Sequence, residues 1–298
     1  MGKIAFVFSG QGDQYPGMGK DLSEKFPTAA AVMEACDRIR PGTSAQCFEG
    51  TDAELAQTVN TQPCLFAMES ALTAALQANG IRADAVAGFS LGEIVAATHA
   101  GLFDFETGFR LVCRRGQLMQ QAAEKQETSM VAVIKLSPET VQSLCSNYTQ
   151  VYPVNFNCPG QIAVSGVAEQ MALFAADVKA AGGRAVPLKV KGGFHSPFMA
   201  DAAAVFEEEL QNCTISAPQI PLYSNLTAAP YDSDPVKLLS QQICNPVQWE
   251  TLVHNMISSG IDTFLEIGPG KTLTNLIRKI DPGVTARPAL EYLEEVLC

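Results

Sequence analysis

Residues 85–99 read Ala85-Val-Ala-Gly-Phe-Ser-Leu-Gly-Glu-Ile-Val-Ala-Ala-Thr-His99, and the change of period inside this stretch decides the fold. Ala85–Phe89 is a short apolar run of the kind buried in a parallel sheet, whereas Leu91–His99 reads as a helix. Only Ser90 separates the two. Gly88 and Gly92 let the backbone turn tightly without Cβ clashes and leave the Ser90 hydroxyl exposed. A strand that runs through such a turn straight into a helix is the setting of a nucleophile elbow. The free N–H groups of the helix start then favour negative charge developing at the serine. A serine capping an ordinary β–α turn would give the same local sequence, so the motif alone leaves both readings open.

Outward from the elbow, Ile4–Phe8 is another fully apolar run that ends in a Gly-rich loop. Helical stretches are expected at about 18–40, 62–79 and Phe105–Lys125. Residues 129–190 change character: strand Met130–Lys135, helix Pro138–Asn147, strands Val151–Asn157 and Ile162–Val167, helix Ala168–Ala181, strand Arg184–Val190. That β-α-β-β-α-β order is the ferredoxin-like unit. From Gly192 the alternation resumes, with helices around 198–211, 247–259 and 271–280 and strands Ile220–Asn225 and Thr263–Ile267, which indicates a parallel sheet covered on both faces. The expected fold is therefore a large α/β-hydrolase-like domain (1–127 and 191–298) interrupted by a small ferredoxin-like subdomain (128–190). A ligand cleft is expected between them.

Composition narrows the function. The 298 residues are 47% hydrophobic and 17% charged with a net charge of −11, and no basic run exceeds Arg114-Arg115. This argues against nucleic acid or an anionic membrane as the main partner. Nine cysteines, with no Cys-x-x-Cys, fit reduced thiols in a cytoplasmic protein and give no support to structural zinc. The N-terminal apolar stretch is too short for a signal peptide, Phe6 stands where a myristoylation signal needs Ser or Thr, and no run is long enough to span a membrane.

A nucleophilic serine needs a base, and the chain has only His99, His195 and His254. His99 lies well into the helix that leaves the elbow, and His254 lies mid-helix. His195 sits in the irregular loop Lys191-Gly-Gly-Phe-His-Ser-Pro-Phe-Met199 at the junction of the two domains, which makes it the candidate base. The Leu91 N–H follows the nucleophile and can serve as one oxyanion donor. The loop after the first strand, Ser9-Gly-Gln-Gly-Asp-Gln14, offers Gln11 as the second. That loop is no dinucleotide fingerprint, because Tyr15 stands where the third Gly is required. Gly268-Pro-Gly-Lys-Thr272 is no P-loop, because Leu265 stands in place of its first Gly.

Several blocks extend this reading. The elbow Gly88-Phe-Ser-Leu-Gly-Glu93, Phe8-Ser-Gly-Gln-Gly-Asp-Gln-Tyr-Pro-Gly-Met-Gly19 and Arg114-Arg-Gly-Gln-Leu-Met-Gln120 resemble malonyl-CoA:acyl-carrier-protein transacylases. So do Val154-Asn-Phe-Asn-Cys-Pro-Gly-Gln161, Gly192-Gly-Phe-His-Ser-Pro-Phe-Met199, Asn245-Pro-Val-Gln-Trp249 and Glu266-Ile-Gly-Pro-Gly-Lys271. The resemblance runs from residue 4 to about 280. It implies the nucleophile at Ser90, the base at His195 and oxyanion donors at the N–H groups of Gln11 and Leu91. It puts the carbonyl that orients the histidine at Gln248 and a carboxylate-binding arginine at Arg115. Sequence alone could not choose Arg115 over Arg110 and Arg114. Phe194 and Leu91 match the choice of malonyl over branched acyl units. Phe89 is a departure, since the family commonly has His there.

What the resemblance implies is a ping-pong transfer of malonyl from malonyl-CoA to the phosphopantetheine thiol of an acyl carrier protein. No metal or redox cofactor is expected, and the chain is expected to act as a monomer. Lys189 and Lys191 are the candidate docking residues for an acidic carrier. Alternatives are an acyltransferase serving a polyketide synthase, a serine thioesterase or esterase, and a non-catalytic carrier-binding scaffold.

Overall fold

Alternation along the first strand divides the core in two. The computed structural model describes residues 2–190, 192–232 and 234–298. Its strands are β1 (Lys3–Phe8), β2 (Ala85–Gly88), β3 (Thr128–Ile134), β4 (Val151–Cys158), β5 (Gln161–Val167), β6 (Arg184–Pro187), β7 (Leu222–Tyr223), β8 (Ile261–Ile267) and β9 (Thr285–Pro288). Five of them form a parallel sheet in the order β7-β2-β1-β8-β9. Phe6 and Phe8 turn to one face, and Ala5 and Val7 to the other, as the two-residue period of a strand requires. The first face is covered by helices Thr58–Ala78, Gly92–His99, Phe105–Glu124 and Ala200–Gln211, and the second by Trp249–Ser258 and Thr272–Ile280.

The other four strands form an antiparallel sheet in the order β4-β5-β3-β6, the ferredoxin-like arrangement. Helices Pro138–Cys145 and Ala168–Ala180 bury one face of it around Val131, Val133, Val164 and Phe174. Met130, Val154 and Ala163 join the main core. The fold is thus a parallel α/β domain with an inserted ferredoxin-like sheet. One seam matters for the site. Phe156 N–H donates to the Val247 carbonyl (2.9 Å), and Val247 N–H donates to the Val154 carbonyl (2.9 Å). Strand β4 is thereby stitched to a loop of the main domain.

Several elements differ from the sequence expectation for local reasons. The stretch 18–40 is two helices, Lys20–Lys25 and Pro27–Ile39, because Pro27 holds Phe26 extended at φ −123°. The helix expected from 62 begins at Thr58. Its early Val59 N–H, which no helical carbonyl can reach, is taken by Gln120 Oε1 (3.0 Å). Helix Pro235–Gln242 has no counterpart in the sequence reading. Asp234 caps it, accepting from Val236 N–H (3.0 Å), with Pro235 in the first turn. Strand β9 and the terminal helix Ala289–Leu297 likewise have no counterpart among the expected elements.

Candidate active site

Ser90 occupies the turn between β2 and helix Gly92–His99 with φ +56°, in the left-handed region. A non-glycine residue there costs about 1–3 kcal/mol, so the surroundings must hold it. They do so on both sides of the residue. Ser90 N–H donates to Asn225 Oδ1 (2.7 Å), and Gln242 Nε2 donates to the Ser90 carbonyl (2.7 Å). The glycines are needed for close approach: a Cβ on Gly88 would collide with the Gly92 backbone, and one on Gly92 with the Phe8 and Ser9 carbonyls. This second contact shows that the loop after β1 lies directly against the elbow. Ser9 anchors that loop by donating to the buried Glu69 Oε1 (2.5 Å).

His195 is also left-handed, at φ +58°, and is 3% exposed. Its Nε2 is 2.8 Å from Ser90 Oγ, and its Nδ1 is 2.9 Å from the Gln242 carbonyl. A carbonyl only accepts, so Nδ1 carries the proton and Nε2 is left to take one from the serine. Burial first, and then the Arg115 charge, push the imidazole down to about 4, against the opposing pull of the Gln242 carbonyl. It is neutral at pH 7, as a base must be.

The Gln242 contact corrects the expectation for Gln248. Gln248 sits at the start of helix Trp249–Ser258 and donates its N–H to the Asn225 carbonyl (2.9 Å). Gln242 ends helix Pro235–Gln242, where the last carbonyls have no partner within the helix and are free to accept from outside. The capping signature Asp234-Pro235 followed by Val236, Leu238 and Leu239 was the signal that could have revealed this helix and its end.

Arg115 is fully buried. Its Nη1 donates to Gln62 Oε1 (3.0 Å), and its Nη2 donates to Gln242 Oε1 (2.7 Å) and Ser90 Oγ (3.2 Å), while Nε has no partner among the described residues. Burial lowers its pKa to about 10, opposed by the charge of Glu93, so it remains a cation at pH 7. The neighbouring arginines face elsewhere, Arg110 pairing with Glu106 (2.7 Å) and Arg114 with Glu209 (2.8 Å). The structure separates the three by helix face, since Arg115 falls on the buried stripe of Leu111, Leu118 and Ala122. Gln62, a polar residue in an apolar helix, was not singled out from the sequence.

The remaining candidates gather around the serine. A cavity of about 90 Å³ is lined by Gln11, Gln62, Phe89, Ser90, Leu91, Met119, Met130, Asn155, Leu188, Val190, Phe194 and His195. Among the described residues, neither the Gln11 nor the Leu91 backbone N–H donates to a protein acceptor. Phe89 packs edge-on against Trp249 with ring centroids 5.5 Å apart. A second cavity, of about 230 Å³, adjoins the first between the two sheets, and Asn155 and Asn157 line it. Both are buried with their Oδ1 atoms unpartnered. Both stand in the stretch Val154-Asn-Phe-Asn-Cys-Pro-Gly-Gln161, where nothing in the residue pattern assigns them a role. Lys189 is exposed beside the cavity residues Leu188 and Val190; Lys191 lies outside the described residues.

Other titratable groups are accounted for elsewhere. His99 stacks on Phe6 at 5.7 Å in the core, where burial lowers it to about 4, and His254 is exposed. Glu266 accepts from the N–H groups of Leu273 (2.9 Å) and Thr274 (2.7 Å), so a carboxylate already occupies the helix start after Gly268-Pro-Gly-Lys271, where a phosphate would have to bind. Among the described residues, no cluster of His, Cys, Asp and Glu could hold a metal, and no helix is long and apolar enough to cross a membrane.

A strained serine, a histidine oriented by a carbonyl, and a buried guanidinium at the serine oxygen form an arrangement chemically able to transfer an acyl group. Consistent with this, residues 5–283 match the family model of the acyl transferase domain. The chain is 37% identical over 289 residues to the malonyl CoA-acyl carrier protein transacylase of Bacillus subtilis, covering 94% of this chain and 91% of that protein. It superposes on the crystal structure of the transacylase from Clostridium perfringens with a TM-score of 0.95 at 34% identity, covering 99% and 97% of the two chains. A malonyl transacylase bound to its type II polyketide acyl carrier protein matches with a TM-score of 0.94 at 34% identity, covering 98% and 99%. The chain belongs to the malonyl-CoA:acyl-carrier-protein transacylase family of acyl transferases.

Proposed function

We propose that this protein moves malonyl from malonyl-CoA to the phosphopantetheine thiol of an acyl carrier protein of fatty acid biosynthesis, through a malonyl ester on Ser90. The observation that carries this reading is the Arg115 guanidinium 3.2 Å from an oxygen that also faces a neutral histidine at 2.8 Å. In the first half-reaction His195 Nε2 takes the Ser90 proton as Oγ attacks the thioester carbonyl. The N–H groups of Leu91 and Gln11 receive the oxyanion. The tetrahedral intermediate collapses, coenzyme A leaves as a thiol with the proton held by His195, and malonyl-Ser90 remains. In the second half-reaction His195 deprotonates the carrier thiol, which attacks the ester, and the proton returns to Ser90.

Arg115 meets the free malonyl carboxylate, since a buried planar cation suits a second carboxylate better than a neutral acyl tail. Its two glutamine partners hold the fork in place without neutralising it. Phe194 and Phe89 exclude bulk at the acyl group. Asn155 and Asn157 offer unpartnered Oδ1 acceptors to the N–H groups of the pantetheine arm. Lys189 attracts the acidic carrier at the cavity mouth, and Lys189→Glu should raise the carrier's KM several-fold at low salt and little at high salt. An equal KM at low salt would move the docking surface elsewhere.

Nine unpaired cysteines suit a reducing cytoplasm, and a site drawn from one chain needs no second subunit. The chemical test is intact-mass analysis after mixing with malonyl-CoA. Wild type should gain one malonyl group and Ser90→Ala none. An unmodified wild type would sink the scheme.

A further inference from the structure

Glu93 is a carboxylate buried behind the elbow that the transfer chemistry leaves unused. It lies one helical turn after Ser90 and is fully buried. Its Oε1 accepts from Tyr231 OH (2.5 Å), and its Oε2 accepts from Gln242 Nε2 (2.8 Å) and Asn225 N–H (3.2 Å). The last two partners are the residues that hold the Ser90 peptide. Asn225 Oδ1 receives the Ser90 N–H, and Asn225 Nδ2 donates to the Gly88 carbonyl (2.6 Å). The amide of Gln242 reaches the Ser90 carbonyl from the other side, its Oε1 receives Arg115, and its own carbonyl receives His195.

We propose that Glu93 is a positioning residue that clamps the left-handed Ser90 peptide through Asn225 and Gln242, and so keeps the nucleophile, its base and the carboxylate-binding arginine in one register. The geometry forces this assignment of roles. A primary amide has two acceptor lone pairs and two donors, and Gln242 uses both ends at once. Arg115 at Oε1 and the Ser90 carbonyl at Nε2 favour one orientation of that amide, and Glu93 Oε2 takes its second N–H and locks it there. If it turns over, its NH₂ group faces the Arg115 donors and its oxygen faces the Ser90 carbonyl, so both contacts are lost together. Asn225 is fixed in the same way through its backbone N–H. Burial pushes the Glu93 carboxyl up to about 7, opposed by these hydrogen bonds and by the Arg115 charge. The clamp needs only acceptor oxygens at Oε2, and a protonated carboxyl can still provide one there while giving its proton to Tyr231.

This inference rests on the Ser90 reading, and the test separates the two. Single-turnover acylation by malonyl-CoA is followed by mass for wild type, Ser90→Ala, Glu93→Leu, Glu93→Gln and Asn225→Ala. Displacement of reacting groups by about 1 Å costs on the order of 100-fold. Glu93→Leu should therefore acylate about 100-fold more slowly, with KM for malonyl-CoA changed less than about threefold. Glu93→Gln, whose carbonyl can face Asn225 and Gln242 while its NH₂ faces Tyr231, should recover at least tenfold of that loss. If Glu93→Leu does not fold, Asn225→Ala carries the test with a loss of about 30-fold at unchanged KM. A folded Glu93→Leu or Asn225→Ala that acylates at the wild-type rate overturns the clamp, as does a Gln variant as slow as the Leu one. An unmodified wild type fails the Ser90 reading instead.

Discussion

Replacing Arg115 with alanine would empty a fully buried site that touches Ser90 Oγ, Gln62 and Gln242, and would take away the cation that contacts the nucleophile. For malonyl-CoA the loss is that of one partner in a buried ion pair, which typically costs about 3–5 kcal/mol. Water that fills the space of the deleted guanidinium restores part of this. Taking about 3–4 kcal/mol at 1.4 kcal/mol per decade gives a fall in kcat/KM of roughly 10²- to 10³-fold. For acetyl-CoA there is no carboxylate to lose, and relief of the Arg115 charge lets His195 become a stronger base. The malonyl-to-acetyl preference should therefore collapse by at least 100-fold, chiefly through the malonyl limb. The assay is the acylation rate of Ser90 by each thioester, read by mass, with thermal unfolding run alongside. Two glutamine oxygens left without their donor lower stability, so folding must be verified independently of the rate. Arg115→Lys should fall between the two, because an ammonium supplies the charge without the planar fork. An Arg115→Ala protein that is folded and keeps the wild-type preference would refute the assignment and move carboxylate recognition to another residue.

The pH dependence tests the base. His195 is lowered to about 4, so it stays neutral, and acylation should stay competent, as pH falls from 7 to 5; the rate should then drop as the imidazole takes a proton. A limb centred near 6.5 in kcat/KM would show that the burial seen here does not govern the titration. Phe89 gives a separate check on packing. Its edge-on contact with Trp249 is worth about 0.5–1.5 kcal/mol beyond buried area, so Phe89→His should lower the urea-unfolding free energy by about 1 kcal/mol while the serine still acylates. A loss above about 3 kcal/mol would mean that Phe89 holds the elbow itself.

The elbow and its partners differ in how far the sequence discloses them, and the differences have physical causes. The β2–Ser90–helix turn was legible because a change of hydrophobic period is local, and the inserted sheet because its six elements follow one another without a break. Arg115 was legible only through the family motif: its neighbours Arg110 and Arg114 differ from it in which way they face, which the structure shows. Gln242 escapes the sequence reading because the short helix Pro235–Gln242 has no counterpart there, and because a backbone carbonyl has no side-chain signature. The clamp at Glu93, Asn225 and Tyr231 joins positions more than 130 residues apart. Nothing in the spacing of those residues announces it. The asparagines of β4 were visible in the sequence, yet only the structure shows that their Oδ1 atoms are buried without partners.

The stitch between β4 and Val247 bears on how such an enzyme can be recombined. By chain order the inserted sheet looks like a cassette, cut at 128 and 190 and exchanged for that of another acyltransferase. Val247 completes the hydrogen bonds of Val154 and Phe156, and five residues earlier the same segment carries Gln242. A graft of the sheet alone would join foreign strand edges to a native loop and shift the carbonyl that sets the histidine. The exchangeable unit is therefore the sheet together with residues 242–248, a discontinuous block that a crossover map based on linear boundaries would divide.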